Sequence, residues 1–320
     1  MKKILLTGAS GFLGINTRDF LLEKGYFVVG VGRKDIDIKI NNYKYIRADL
    51  SNEVEFLKFD MDFDYIVHCA ALSTDDAFFN DYRKSNIVLT KNLVDFAKKN
   101  RNLKRIINIS TPSIYFNCDS KENVCEKDIF GDFVNCYAET KYEAEKIIRN
   151  SKLNNITLRP RAIYGEYDNT LLPRLIKISK RGIPLFKNGN CNADFTYVKN
   201  VCQAIYLAIN ASDEFNNNSY NVTDGRPLKL KDIFELLELE LGEVFEYKKL
   251  NYKLVLIVAS TIEYISRLFK IRPIVTKYAI SVLGNSQTLD ISNIKNDLNY
   301  KPIYTTKEGV QNFAKWYRTK

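Results

Sequence analysis

Short apolar runs alternate with amphipathic stretches through the first half of the chain. Apolar, often β-branched residues form six runs that predict strands, at residues 4–7, 27–31, 43–48, 65–69, 105–110 and 156–159. Between them, apolar residues recur at helical spacing over residues 12–24, 85–99 and 138–149. Because strands separated by helices are typical of a parallel, doubly wound sheet, this half predicts an α/β fold of the Rossmann type.

The alternation fades after Gly165, where helical patterns become more frequent. The segment "SYNVTDG" predicts one more strand, residues 244–247 predict a short strand, and most of the chain after Pro227 predicts helices. We therefore expect a Rossmann-type domain at residues 1–165, to which residues 198–224 return. Residues 166–197 and 225–320 are expected to form a smaller, mostly helical lobe that binds substrate.

One helical segment in this second lobe is strongly apolar, "LVLIVASTIEYISRLF". Its apolar residues recur at helical spacing, and we expect this stripe to face the core rather than a lipid surface: Leu254, Ile257, Val258, Thr261, Ile262 and Ile265.

Composition narrows the class of protein. The 320 residues are 45% hydrophobic and 27% charged, as in ordinary globular proteins. The apolar runs are far shorter than the roughly 20 residues of a spanning helix, and the first residues lack a signal-peptide core, so we expect a cytoplasmic protein without membrane insertion. The net charge of +10 is dispersed, which argues against nucleic-acid binding but is compatible with anionic ligands.

Metal binding is not expected either. The six cysteines form no CxxC pair and are interpreted as reduced thiols, and His68 is the single histidine of the sequence.

The segment "TGASGFLG" has the spacing of a phosphate-binding loop. It follows the first predicted strand and begins a predicted helix, where backbone N–H groups and the helix dipole favour a pyrophosphate. Gly8 permits the tight turn, Gly11 lets the backbone approach the phosphates, and Gly14 allows close helix packing. The loop therefore predicts a bound dinucleotide.

The end of the second predicted strand bears on which dinucleotide binds. An acidic residue there favours NAD, whereas an arginine accommodates the additional phosphate of NADP. The strand ends in Gly32 and Arg33, with no carboxylate before Asp35, which favours NADP over NAD although Asp35 leaves NAD open. Asp49, after the third strand, is placed to meet the adenine amino group.

A second constellation is "YAETK", which places Tyr137 and Lys141 four residues apart on one helical face. The ammonium is expected to lower the phenol pKa from about 10, so that Tyr137 can exchange a proton with an alcohol or ketone near neutral pH. Lys141 can also reach the cofactor ribose. Upstream, "NISTPSIY" ends a predicted strand with hydroxyl groups suited to holding a substrate oxygen.

Taken in order, "TGASGFLG", "ADL", "VHCAAL", "STPSIY", "YAETK", "LRPRAIYG", "DFTYVKN" and the terminal "TLDISNIKNDLNYKP" resemble an extended short-chain dehydrogenase/reductase over nearly the whole chain. The resemblance implies a triad of Thr111, Tyr137 and Lys141, with Ser110 and Ser113 as less favoured stand-ins for Thr111, and a supporting role for Asn86 in a proton relay. It further implies cofactor contacts along the same motifs, at Gly8, Ser10, Gly11, Phe12, Leu13, Gly14, Arg33, Asp49, Leu50, Ala70, Ala71, Leu72, Tyr137, Lys141, Pro160 and Ile163. It also suggests a homodimer built through the helices at residues 85–100 and 137–150.

Departures from the family's patterns narrow the reaction. Pro112 and Ser113 follow Thr111, where 4,6-dehydratases carry an acidic pair, and Ala162 and Ala193 occupy positions that serve the diphosphate in many sugar-nucleotide enzymes. The residues of the motifs resemble those of three-beta-hydroxysteroid dehydrogenases and keto-reductases more than those of the sugar-nucleotide enzymes. We therefore expect an NAD(P)-dependent oxidoreductase that transfers hydride to or from a secondary alcohol or ketone of a small molecule. The alternatives are a nucleotide-sugar 4-epimerase with the same triad and a catalytically silent cofactor-binding regulator.

Overall fold

The computed structural model describes residues 1–59, 62–74, 77–129, 131–269 and 271–320. Their strands are β1 (Lys3–Thr7), β2 (Phe27–Gly32), β3 (Tyr43–Arg47), β4 (Tyr65–His68), β5 (Arg105–Ile109), β6 (Lys121–Val124), β7 (Asn155–Pro160), β8 (Ile163–Tyr164), β9 (Ile183–Leu185), β10 (Asn192–Ala193), β11 (Thr196–Tyr197), β12 (Ser219–Val222), β13 (Leu228–Lys229), β14 (Tyr247–Lys249) and β15 (Gln287–Leu289). Their α-helices are α1 (Phe12–Glu23), α2 (Phe79–Tyr82), α3 (Leu89–Ala97), α4 (Cys136–Asn150), α5 (Leu172–Ser179), α6 (Val198–Ile209), α7 (Leu230–Leu241), α8 (Tyr252–Leu268), α9 (Lys277–Gly284), α10 (Ser292–Leu298) and α11 (Thr306–Tyr317).

The central sheet has seven parallel strands in the order β12-β7-β5-β4-β1-β2-β3. The chain leaves β1 in one direction towards β3 and later returns to the other side of β1 at β4. Between β1 and β4 the sheet therefore has a topological switch point, which is where ligands bind in open α/β sheets. The doubly wound α/β prediction is confirmed, and each of the six predicted strands corresponds to one of β1 to β5 and β7 within two residues at either end.

Alternation along β1 directs its side chains to two separate cores. Ile4 and Leu6 are buried on the face covered by α1 and α6, whereas Leu5 is buried on the opposite face with residues of α3. A parallel sheet covered on both faces needs such apolar strands, and β1, β2, β4, β5 and β7 are almost entirely buried. The edge of the sheet at the carboxyl ends of these strands is left for the site.

The second half of the chain adds smaller elements around that edge. A four-stranded sheet has the order β13-β10-β15-β6, and a separate apolar cluster contains Tyr164, Tyr197, Phe234 and Phe313. The strand predicted at residues 244–247 begins three residues later, at Tyr247, where it pairs with β9. None of the described helices is both long and apolar enough to cross a membrane.

The apolar stripe of α8 does not face the core as the sequence analysis expected. Ala259 and Ser266 are the fully buried residues of this helix, while Leu254, Ile257 and Val258 are 57% to 64% exposed. The inner face of α8 packs through Ala259, Val255 and Leu256 against Phe186 and Ile280. Because both faces of α8 carry apolar residues, periodicity alone identified a stripe without showing which face is buried.

Candidate active site

A cleft of about 370 Å³ lies where β1, β2 and β4 end. Its walls come from the loop after β1, the ends of β2 and β3, the segment after β4 and the start of the helix that includes Lys84 and Ser85. The cleft therefore coincides with the switch point of the sheet, the expected place for a dinucleotide.

The glycine loop has the geometry that its spacing predicts. Gly8 has φ +71°, and a Cβ there would lie 2.8 Å from the backbone nitrogen of Ala70. A Cβ on Gly14 would lie 2.1 Å from the carbonyl oxygen of Gly8, so the first turn of α1 packs directly against the loop. Gly11 is the N-cap of α1 and lines the cleft. The free N–H groups at this helix start suit a phosphate.

Four positive side chains line the cleft. The cleft is lined by Arg33, Lys34, Lys84 and Lys320, and Asp49 is the carboxylate among its lining residues. Burial alone would raise the pKa of Asp49, but hydrogen bonds from Ser51 and the charges of Lys84 and Arg33 lower it overall. Asp49 therefore stays ionised and able to accept a hydrogen bond.

Asp35, the residue that kept NAD open, lies elsewhere. Its Oδ2 is 3.2 Å from Nη1 of Arg47, and neither residue lines the cleft. Asp35 thus pairs with Arg47 and does not line the cleft as Arg33 does.

The predicted cofactor residues fall into two groups. The cleft brings together Gly8, Ser10, Gly11, Phe12, Arg33, Asp49, Leu50, Ala70 and Ala71. The remaining predicted contacts do not line it: Leu13, Gly14, Leu72, Pro160, Ile163, Tyr137 and Lys141. Leu13 and Ile163 instead pack against the apolar cores, Gly14 packs on Gly8, and the backbone of Leu72 is bound by Asn86.

Helix α4 positions the two residues of the YxxxK pair. Asn135 caps the helix through the N–H of Ala138, which fixes its first turn and places Tyr137 there. Lys141 follows one turn later, is 2% exposed, and donates from Nζ to the carbonyl oxygen of Ile109 at 2.7 Å. The lysine is therefore held at the end of β5.

Burial, more than the lysine, determines the ionisation of the pair. Burial raises the pKa of Tyr137, which the neighbouring Thr111 hydroxyl opposes. Burial also lowers the pKa of Lys141 from 10.5 to about 8, with Glu145 opposing. The expectation that Lys141 lowers the phenol pKa is therefore wrong for this arrangement, because the ammonium is directed to Ile109 and desolvation dominates at the phenol.

Thr111 begins a chain of hydroxyl groups that crosses between the two halves of the protein. Its Oγ1 donates to Oγ of Ser113 at 3.0 Å, and the Ser113 hydroxyl lies 3.0 Å from the phenol oxygen of Tyr278 in α9. Thr111 also accepts from the N–H of Ser113, which fixes its rotamer at the end of β5. The structure thus brings Tyr137 and Thr111 together and adds Tyr278, which belongs to no local sequence motif.

Asn86 is buried in a π-helical turn, Arg83–Val88, between α2 and α3. Its side chain accepts from the N–H of Leu72 at 2.8 Å and donates to Oγ1 of Thr140, the residue before Lys141. Its own carbonyl oxygen accepts from Thr90. These contacts link α4 to the segment after β4, so Asn86 positions the site, and it makes no hydrogen bond to Lys141.

His68 has no acid–base role available to it near neutral pH. Its ring nitrogens lie 2.8 Å from the Thr7 hydroxyl and 3.0 Å from the Thr90 hydroxyl, and the residue is buried. Burial, with the nearby charge of Lys141, lowers the pKa of His68 to about 3. The imidazole therefore stays neutral and fastens β1 to β4 and α3.

A second cavity of about 250 Å³ lies beside Tyr278. Aromatic and aliphatic side chains dominate its lining, together with the ion pair of Arg267 and Glu263: Phe78, Phe79, Tyr82, Val134, Ile271 and Pro273. Tyr82 also contacts Tyr137, with ring centroids 6.4 Å apart. An apolar chamber that contains one ion pair therefore lies beside Tyr82, the ring neighbour of Tyr137.

The parallel switch-point cleft, the glycine loop, and the Thr, Tyr and Lys residues at the ends of β5 and α4 define an extended short-chain dehydrogenase/reductase. The chain belongs to the NAD dependent epimerase/dehydratase family, whose model matches residues 4–223. It is accordingly an enzyme of the NAD(P)-dependent oxidoreductase type.

Two relatives agree with this assignment, and a solved structure shares the fold. The chain is 26% identical to a 2-alkyl-3-oxoalkanoate reductase of Stenotrophomonas maltophilia, over 97% of each chain. It is 24% identical to a decarboxylating sterol-4-alpha-carboxylate 3-dehydrogenase of Mus musculus, over 97% of this chain and 89% of the relative. A UDP-glucuronic acid 4-epimerase of Bacillus cereus, solved with UDP-glucuronic acid and NAD, shares the fold with a TM-score of 0.78 at 22% identity, over 99% of each chain.

Proposed function

We propose that this protein is an NADP-dependent reductase or dehydrogenase that interconverts a ketone and a secondary alcohol on an apolar small molecule. The observation that carries the proposal is the placement of Tyr137 beside the Thr111 hydroxyl and against Tyr82, which lines an apolar cavity. A carbonyl oxygen held by Thr111 would lie within reach of the phenol, which can donate a proton to it in the direction of reduction.

The nicotinamide would supply or accept the hydride, and the chain's own residues would handle the proton and the substrate. Tyr137 stays protonated near neutral pH because burial raises its pKa, so it is the proton donor for reduction. The Lys141 ammonium, at the end of β5, favours negative charge developing on that side of the site. The hydrogen bond from Asn86 to Thr140 fixes the position of α4 relative to the turn that carries Asn86.

The substrate class is supported by the cavity and by the relatives. The two curated relatives described above act, by their names, on compounds that carry a carboxylate near a 3-oxo or 3-hydroxy group. The cavity beside Tyr278 combines apolar walls with the ion pair of Arg267 and Glu263. We therefore propose a 3-oxo or 3-hydroxy carboxylic acid with an apolar chain or ring as substrate.

Stoichiometry tests the reaction. With 2-alkyl-3-oxoalkanoates offered to the purified protein, NADPH should be consumed one for one with the alcohol formed. Interconversion of sugar epimers without net NADPH consumption would establish the 4-epimerase alternative instead. The absence of turnover on both substrate classes, with NADPH still bound, would count against the reductase proposal.

The preference for NADP is supported by the four cations around the cleft and by the engagement of Asp35 with Arg47. Arg33→Ala should raise the dissociation constant for NADPH by about tenfold or more and leave that for NADH nearly unchanged, because the lost contact is to the additional phosphate. Arg101→Ala is the matched control, since Arg101 is exposed and does not line the cleft. Titration of cofactor fluorescence measures both constants, and equal loss of NADPH and NADH affinity would contradict the assignment.

We further propose a homodimer through the helices α3 and α4. These helices pack against each other, α4 carries Tyr137, and Asn86 lies in the turn just before α3, so a dimer formed there would stabilise the site. Light scattering of the purified protein tests the proposal.

A further inference from the structure

The outer face of α8 is apolar and uncovered among the described residues. Five large apolar side chains on this face are between 57% and 70% exposed: Leu254, Ile257, Val258, Tyr264 and Leu268. At 100° per residue, these positions together with Thr261 and Ile265 fall within an arc of about 120°. One side of a 17-residue helix is therefore an unbroken apolar surface.

More exposed apolar residues follow the end of the helix. Phe269 is 69% exposed, Ile271 is 56% exposed and Ile274 is 99% exposed. We call these exposed apolar residues, together with those on the outer face of α8, the α8 patch. Soluble monomers rarely present contiguous apolar surface of this extent without a partner for it.

Positive charge borders the α8 patch. Residues 251–280 contain five cations and one carboxylate, a net charge of +4, with Lys270 outside the described residues. The carboxylate, Glu263, is paired with Arg267. Lys253, Arg272 and Lys277 are exposed, and no described carboxylate lies within ion-pair distance of them. An apolar stripe flanked by cations is complementary to a surface that is apolar inside and anionic outside.

We infer that the α8 patch docks this enzyme on an anionic lipid bilayer, with the apolar side chains among the acyl chains and the cations at the headgroups. A second copy of the chain is a poorer occupant, because a two-fold contact would bring two surfaces of charge +4 together. The contact is interfacial, and it needs no spanning helix.

The second cavity shares lining residues with the helix and loop that carry the α8 patch. Glu263, Arg267 and Ile271 line the cavity from the same helix and loop that carry the α8 patch. Phe78 and Phe79, which also line the cavity, are 45% and 43% exposed. A bilayer on the α8 patch would therefore lie beside the mouth of the substrate cavity. This step extends the proposed function to apolar substrates taken from the membrane, whereas the docking itself does not depend on the reaction.

Vesicle sedimentation of the full chain tests the inference. The wild-type protein should bind vesicles made of equal parts of phosphatidylcholine and phosphatidylglycerol, and it should bind phosphatidylcholine vesicles more weakly by about tenfold or more. The double variant Ile257→Glu and Leu268→Glu should lose about tenfold or more of the binding to the anionic vesicles, because two carboxylates would enter the acyl region.

The matched control is Val54→Glu with Leu57→Glu, two aliphatic residues that are 59% and 83% exposed on a short turn outside the α8 patch. This variant should bind vesicles as the wild type does. NADPH binding should be unchanged in both double variants, which separates loss of docking from loss of folding or of the cofactor site.

Three results would overturn the inference. The first is absence of wild-type binding to either kind of vesicle. The second is equal binding by the two double variants. The third is a wild-type dimer that Ile257→Glu with Leu268→Glu dissociates, because the occupant of the α8 patch would then be a second copy of the chain.

Discussion

Lys141 carries its charge where water cannot solvate it. The side chain is 2% exposed, and the carbonyl oxygen of Ile109 is the hydrogen-bond partner of its ammonium. Burial lowers the pKa of Lys141 to about 8, although Glu145 opposes the shift. Near neutral pH Lys141 is therefore a buried cation in the folded protein. Its charge has a lower free energy in the unfolded chain, where water solvates it.

This cost gives a prediction about stability and pH. The pKa of Lys141 is lower in the folded than in the unfolded state, so the unfolded chain binds more protons between about pH 8 and 10.5. The stability of the wild type relative to Lys141→Met should therefore rise with pH across that window and be constant below it. We expect Lys141→Met to be the more stable protein at pH 7, by about 1–3 kcal/mol, and to be inactive.

Urea denaturation of both proteins at pH 7 and at pH 9.5 measures the difference. Comparing the two proteins at each pH cancels the titration of the many tyrosines. A difference that does not change with pH would show that the Lys141 pKa is not lowered by folding.

Tyr137 supports a second prediction at this scale. Tyr137→Phe removes the hydroxyl group and leaves the ring contact with Tyr82 in place. Turnover should fall by about 10²–10⁴, as for other lost general acids, while NADPH affinity changes little. Single-turnover kinetics with NADPH would check this, and full activity of the variant would remove Tyr137 from the proposed proton transfer.

Some of these residues could be found from the sequence and others could not. Gly8, Gly14, Tyr137 and Lys141 belong to local motifs whose spacing determines their geometry. Tyr278 does not, because Ser113 and Tyr278 are 165 residues apart and meet through the packing of α9 against the first half of the chain. No local pattern carries that information. The expected lowering of the Tyr137 pKa is wrong for a related reason. Spacing shows that Tyr137 lies near Lys141, but it does not show that the phenol is buried.

At the scale of elements, α4 is fixed to the sheet by one buried ion pair. Arg159 in β7 donates from Nε to Oε1 of Glu145 at 2.9 Å and from Nη2 to Oε2 at 2.6 Å, and both side chains are 1% exposed. Tyr115 also accepts from Arg159. Glu145 lies one turn after Lys141, so this pair holds the part of α4 that carries the site.

Glu145→Ala should therefore lower the free energy of unfolding by about 3–5 kcal/mol, because it leaves the guanidinium buried without its carboxylate. The matched control is Glu143→Ala on the same helix, which removes a pair between Glu143 and Lys146 that is about 41% exposed on each side. That variant should be nearly as stable as the wild type. Chemical denaturation compares the two, and similar losses in both would show that burial of the pair does not matter.

The elements also show where periodicity stops being informative. β1 to β5 and β7 were predictable because buried parallel strands are continuous apolar runs between helices. For α8 the spacing of Leu254, Ile257 and Val258 identified a stripe, yet the buried side is the narrow one around Ala259 and Ser266. A small residue marks where another element approaches closely, and the sequence alone does not distinguish such a contact from an incidental alanine or serine.

At the scale of the whole molecule, the cofactor cleft draws its walls from distant parts of the chain. Gly8, Arg33, Asp49 and Ala70 follow four different strands, and Lys320 is the last residue. A ligand in this cleft binds the folded protein and not the unfolded chain. Folding and cofactor binding are therefore coupled.

We expect NADPH at about one hundred times its dissociation constant to raise the free energy of unfolding by about 2.7 kcal/mol. A thermal melt with and without NADPH measures the stabilisation, and the same melt of Arg33→Ala should show a smaller shift at equal NADPH concentration. A melt that NADPH leaves unchanged would mean that the cleft does not take this ligand.

The hydroxyl chain from Thr111 to Tyr278 ends on an element that contributes nothing to the cofactor cleft. Residues of α8 and α9 can therefore be exchanged as a block while the glycine loop, Lys141 and Tyr137 are left intact. A chimera that replaces residues 250–286 with the matching segment of a relative should therefore accept the relative's substrates. It should keep this chain's own cofactor cleft, Tyr137 and Lys141.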